Sequence, residues 1–164
     1  MFGICNLAIV PVRAEASDRS EQVSQLLFGE HFKIIELTAK WAQVELAYDG
    51  YIGWIDSKQF QSISKENYLL LNELPNVLNA DLIEYITTSN NQLMPIALGA
   101  SLSFLENEAI NSSKFIFDGM KVCGVKPKSE IIKTAFMYLN APYLWGGKTP
   151  VSYTHLTLPT NREV

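Results

Sequence analysis

Hydrophobic and polar positions alternate with a period of two through much of the first third of the chain. In Trp41-Ala42-Gln43-Val44-Glu45-Leu46, Trp41, Gln43 and Glu45 fall on one face and Ala42, Val44 and Leu46 on the other, which predicts a half-buried strand. Residues 22–28 and 32–37 are further apolar-rich runs, with Gly29-Glu30 as the turn between them. Tyr48-Asp49-Gly50 predicts a tight hairpin, because Asp-Gly supplies the positive φ angles such turns require, and residues 51–56 form its return strand. The apolar start, residues 1–10, reads as a first strand, and Pro11 between Val10 and Val12 suits an edge or a strand start. Residues 14–20 are polar and rich in turn formers, hence a loop. Short strands with turns every 8–12 residues or so predict a small barrel over residues 1–62.

The pattern is less regular over residues 66–125. Tyr68-Leu69-Leu70-Leu71 and Leu82-Ile83-Glu84-Tyr85-Ile86 are each compatible with strand or helix. Asn90-Asn91 marks a turn before the apolar residues 93–98, and Lys114-Phe115-Ile116-Phe117 with Asp118-Gly119 reads as a strand and tight turn. The expectation is a second small β-domain.

At Lys126-Pro127-Lys128-Ser129 the period changes. Ser129 suits an N-cap, and Ile132, Ala135, Phe136 and Leu139 recur at helical spacing up to Asn140. Pro142 then forbids continuation. A helix this short, with only a tail after it, cannot bury its apolar face alone. Residues 151–164 show no amphipathic period and resemble nothing before them, so they are expected to be a non-native tail with weak packing.

Composition narrows the classes. The chain has 164 residues, 48% hydrophobic and 18% charged, with a net charge of −4, enough for one ordinary domain or two small ones. The mild acidity offers no basic stripe, so nucleic acid is not an expected partner. No apolar run reaches the roughly 18 residues of a membrane helix, so no membrane association is expected. No Lys or Arg precedes the opening apolar run, so no signal peptide is read and the expected compartment is the cytoplasm. Cys5 and Cys123 stand far apart in apolar contexts and read as buried structural thiols, with a disulfide or a reactive thiol as alternatives. His31 and His155 share no metal-ligand spacing with Cys, Asp or Glu, so neither metal nor cofactor is expected.

Two patches carry a family resemblance. Val10-Pro11-Val12-Arg13, Leu27-Phe28-Gly29-Glu30, Trp41-Ala42-Gln43-Val44 and Gly50-Tyr51-Ile52-Gly53-Trp54 occur in an order that resembles bacterial SH3 domains. The last of these looks like the SH3 module of dipeptidyl-peptidase VI type hydrolases of murein peptides. The second patch is a helix followed by Tyr138-Leu139-Asn140-Ala141-Pro142-Tyr143-Leu144-Trp145-Gly146-Gly147, which is similar to the opening of NlpC-type, papain-like cysteine peptidases. The resemblance implies a mainly β fold of two small bacterial SH3-like barrels, over 1–62 and 66–125. They are followed by the first helix of a truncated α+β papain-like domain over 127–150.

The Asp-Cys-Ser-Gly that carries the nucleophile in that family does not follow Gly147, and the family's two His positions are absent too. No catalytic residue is therefore assigned, and this chain is expected to be inactive. By the same resemblance, Glu15 and Tyr51 hold the free amine of a terminal L-alanine, and Tyr143 sits beside the nucleophile. The plainer alternatives are a solvated loop acid for Glu15, a rim aromatic for Tyr51 and a packing aromatic for Tyr143. Trp41 and Trp54 read as structural, and Gly146-Gly147 as allowing close backbone approach. The implied function is recognition of murein-derived peptides for cleavage at γ-D-glutamyl-diamino acid bonds. The rivals are a non-catalytic SH3 module that binds such peptides or a protein, and a fragment with no function of its own.

Overall fold

The computed structural model describes residues 1–150 and the backbone of Ser152–Tyr153. The expected foreign tail, 151–164, lies outside the described residues except for that short strand.

Seven strands form one antiparallel sheet: β1 (Phe2–Ile4), β2 (Ile9–Arg13), β3 (Gln22–Leu27), β4 (His31–Leu37), β5 (Trp41–Leu46), β6 (Ile52–Asp56) and β7 (Gln61–Ile63). Their order is β3-β2-β6-β5-β4-β1-β7. The alternation seen in the sequence sets which face is buried. Val10 and Val12, Phe32 and Ile34, and Ala42, Val44 and Leu46 point into one core with Cys5, Leu26 and Ile55. Between them Ile35 and Leu37 face solvent. The opening apolar run is not one strand, as expected, but two. The chain breaks after Ile4 so that Cys5 N–H can donate to Glu30 O at 2.9 Å and Cys5 O can accept from Gly29 N–H at 2.8 Å. β1 then pairs with β4 and β7 while β2 pairs with β3 and β6.

Beyond this sheet, α1 (Lys65–Glu73) is a helix capped by Ser64, whose Oγ accepts the Asn67 N–H at 3.1 Å. The ambiguous run 68–71 is therefore helical, whereas residues 83–86 lie in a strand. Strands β8 (Val77–Asn79), β9 (Ile83–Thr87), β10 (Leu93–Ala97) and β11 (Lys121–Cys123) pair as β9 with β10 and β8 with β11. Single bridges extend each pair, Thr87 to Ile116 and Leu78 to Ser101. Over 66–125, where a second SH3-like barrel was expected, the strands form two short ladders around a core of Leu71, Ile86, Ile96, Leu102, Phe104, Ile110, Phe115 and Phe117. Much of the segment between β10 and β11 is turns, and buried Asn111 satisfies them: its Nδ2 donates to Leu105 O and Phe115 O, and its Oδ1 accepts the Phe115 N–H.

The two halves do not separate at residue 62. Ile4 and Phe28, from the side of the seven-stranded sheet, belong to the second core, and Phe28 packs edge-on to Phe115 with ring centres 5.1 Å apart. Gly29 makes this crossing possible. It takes φ +77°, and a Cβ there would sit 1.9 Å from the Ser101 carbonyl oxygen. Only glycine lets the turn press that closely on the second half.

The last helix is α2 (Lys128–Met137), shorter than the expected span to Asn140. Ser129 is not its cap. Pro127 occupies that position with no side-chain hydrogen bond, and Ser129 falls inside the first turn. The apolar residues Ile131, Ile132 and Phe136 are exposed, and no α2 residue is buried. β12 (Lys148–Thr149) pairs with β13 (Ser152–Tyr153). Cys123 is exposed on β11, against the expectation of burial, because that strand lies outside both cores. Among the described residues no helix is long and apolar enough to cross a membrane.

Candidate functional site

Glu15 lies in the loop joining β2 to β3. The loop closes on itself: Ala14 N–H donates to Glu21 O at 3.0 Å, Glu15 N–H to Ser20 Oγ at 2.9 Å, and Arg13 Nη1 to Ser20 O at 2.8 Å. These bonds use the loop's backbone and leave Glu15 itself exposed. Tyr51 follows the Tyr48-Asp49-Gly50 turn, where its N–H donates to Asp49 Oδ1 at 3.0 Å and its carbonyl accepts from Leu46 N–H at 2.9 Å. It is 42% exposed, a rim position and not a core one.

Sheet register relates the two. Arg13 of β2 lies opposite Trp54 of β6 in an antiparallel pair. Continuing β2 past Arg13 therefore runs toward the start of β6, the end at which Tyr51 stands. The loop bearing Glu15 and the hairpin bearing Tyr51 thus share one end of the sheet. No hydrogen bond joins the two side chains among the described residues.

The residues just after Tyr143 reach the sheet by a different route. Arg13 also lies opposite Gln22, the first residue of β3, and Gln22 Nε2 donates to Trp145 O at 3.2 Å. Gly146 has φ +73°, and a Cβ there would lie 2.6 Å from Gln22 O. The expected role of this glycine, close backbone approach, is what the geometry requires. Tyr143 is 65% exposed, two residues before the contact with Gln22.

Further along, Lys148 fastens the same segment to the seven-stranded sheet. Its N–H donates to Gln25 Oε1 at 2.7 Å, and its Nζ meets Glu30 Oε1 and Oε2 at 3.3 and 3.4 Å. Glu30 also accepts the Leu27 N–H at 2.9 Å. Burial pushes the Glu30 carboxyl above its ordinary range, and the attraction of Lys148 only partly reverses this. His31 is held below its ordinary pKa by burial, with Nε2 bonded to Asn72 Oδ1 at 2.9 Å.

Sequence reading missed Glu30, Lys148, Gln22 and Gln25. The local signal was an acid directly after Gly29 in an apolar run, which marks a turn. Nothing near it announces a partner 118 positions away.

A carboxylate and a phenol oxygen at one rim can both accept hydrogen bonds from an ammonium group. Nucleophilic chemistry is another matter. Cys5 is fully buried, its thiol pushed up to about 12 by desolvation, with Sγ bonded to Leu7 O. Such a thiol is inert. No cluster of His, Cys, Asp or Glu suited to a metal occurs among the described residues. Trp41 is buried with Lys40 over its ring, in keeping with a structural role.

Residues 12–60 match the family described as the bacterial dipeptidyl-peptidase Sh3 domain. In fold, the chain is similar to an NlpC/P60 family protein from Bacillus cereus, with a TM-score of 0.73 at 12% identity. That similarity covers 93% of this chain and 68% of the other. No curated protein matches the chain in sequence. Residues 12–60 are thus similar to the SH3 domain of bacterial dipeptidyl-peptidases, and the chain's fold to that of an NlpC/P60 protein. The first agrees with the resemblance to bacterial SH3 domains carried by residues 10–54.

Proposed function

We propose that this chain is the substrate-recognition portion of a cell-wall-peptide cysteine endopeptidase of the dipeptidyl-peptidase VI kind, gripping murein peptides by their free N-terminal amine. The observation that supports the reading is the register of the sheet: β2 runs from Arg13, opposite Trp54 of β6 and Gln22 of β3, toward the end where the Glu15 loop and the Tyr51 hairpin stand, and Gln22 bonds Trp145, two residues after Tyr143. An ammonium group at that rim gains charge-assisted hydrogen bonds, each contributing about 1.5–3 kcal/mol before ordering losses. Hydrolysis of the γ-D-glutamyl-diamino acid bond would require a thiolate at that rim; Cys5 is buried with its thiol pushed up to about 12, and Cys123 lies on β11, which pairs with β8 and not with the sheet that carries the rim.

Titration calorimetry with L-Ala-γ-D-Glu-diamino acid peptides tests this. The free-amine peptide should bind and stay intact, and acetylating its amine should abolish the heat. Glu15→Gln and Tyr51→Phe should each weaken binding roughly tenfold. Equal binding of free and acetylated peptides would remove the amine from the reading, and turnover of the peptide would contradict an inactive chain.

A further inference from the structure

A cavity of about 460 Å³ lies between the seven-stranded sheet and the second half, a volume in the range that holds small ligands. Leu27 and Leu46 from that sheet face Leu71, Leu74 and Leu78 across it. Glu30 and Lys148 also line it, so one acid and one base stand beside an aliphatic wall. Their separations of 3.3 and 3.4 Å exceed the roughly 2.7–2.9 Å of a tight charge-assisted bond. Glu30 spends one further lone pair on the Leu27 N–H, and the Lys148 ammonium has three donors of which this carboxylate takes a share. Each group keeps capacity for a second partner without breaking the pair. His31, on the same wall, is held toward its neutral form and adds no charge near neutral pH.

We propose that this cavity binds a small zwitterion, a free α-amino acid with an aliphatic side chain. Glu30 takes its ammonium, Lys148 takes its carboxylate, and the side chain lies on the leucine wall. Neither Glu15 nor Tyr51 lines the cavity, although Tyr48 of the same hairpin does, and the proposal does not depend on the function of the rim.

The test is a titration of the full chain, followed by NMR shifts or calorimetry, with three probes: L-leucine, N-acetyl-L-leucine and L-leucinamide. L-Leucine should bind saturably in the millimolar range or below, and each blocked form at least about tenfold more weakly. Glu30→Gln should erase the difference between leucine and its N-acetyl form, and Lys148→Met the difference between leucine and its amide. On the Glu15→Gln chain, where the rim's grip on a free amine is weakened, the three probes should keep the same order of affinity, which separates this site from the rim. Equal affinity for all three probes, no saturable binding, or loss of that order on Glu15→Gln would each overturn the proposal. The three probes decide it on the unaltered protein even where a variant fails to fold.

Discussion

At Gly29 a left-handed backbone and a backbone contact from the other half coincide. Any side chain pays both the strain of positive φ and the overlap with Ser101. Gly29→Ala should therefore destabilise the fold by about 2–4 kcal/mol. Urea denaturation measures this, and an unchanged midpoint would show that the turn can relax. Thiol chemistry gives a second residue-scale expectation. Cys123 is exposed while Cys5 is buried with its thiol near 12. Mass spectrometry after brief alkylation should find one modified cysteine in the folded chain and two in urea. Glu30 supplies the third. Its folded pKa is raised above the 4.5 of an unperturbed glutamate, so just above that pH the folded chain binds more protons than the unfolded one. Stability must then fall as pH rises from about 4.5 through the folded-state value. Glu30→Gln should flatten that part of the stability–pH curve, and an unaltered slope would assign it to other groups.

Among the elements, α2 differs from every strand of the seven-stranded sheet. Ile131, Ile132 and Phe136 are each more than half exposed, and an isolated helix of this length is marginal. Amide exchange over residues 128–137 should be much faster than over β4 and β5. Phe136→Ser should change stability by no more than about 0.5 kcal/mol, whereas protection equal to that of β5 would mean that the helix is held by more than its own turns. The strands of that sheet were legible because one face of each is buried, and a period of two records that directly in Val10–Val12 and Ala42–Leu46. Residues 68–71 were not. Three consecutive leucines satisfy either period, and the deciding signal was the Ser64 cap, four residues upstream of Tyr68. The residues 98–120 were harder still, since their order comes from Asn111 and the aromatic core and not from a repeat. At the candidate site, the turn chemistry around Glu15 and Tyr51 was local and could be read. The Glu30–Lys148 pair joins distant parts of the chain and could not.

On the scale of the whole molecule, the two cores are stitched by Ile4 and Phe28. Phe28 is fully buried and contacts both Phe104 and Phe115. Phe28→Ala should cost about 3–5 kcal/mol. The loss should appear in a single transition, because the residue is covalently part of one half and packed in the other. Tryptophan fluorescence, whose sources include Trp41 and Trp54 of the seven-stranded sheet, should move together with far-UV circular dichroism. Two resolved transitions, with only the later-folding half shifted, would show that the halves are independent. The stitching also bears on how this module can be inherited or transplanted. Residues 12–60 are the stretch that matches a single family model, yet excised at those limits they would leave Phe28 without its pocket and remove Ile4 altogether. A graft that carries the rim to another protein must take residues 1–125 as its cassette, so recombination at the visible domain boundary should yield sticky, aggregation-prone chimeras while recombination just before α2 should not.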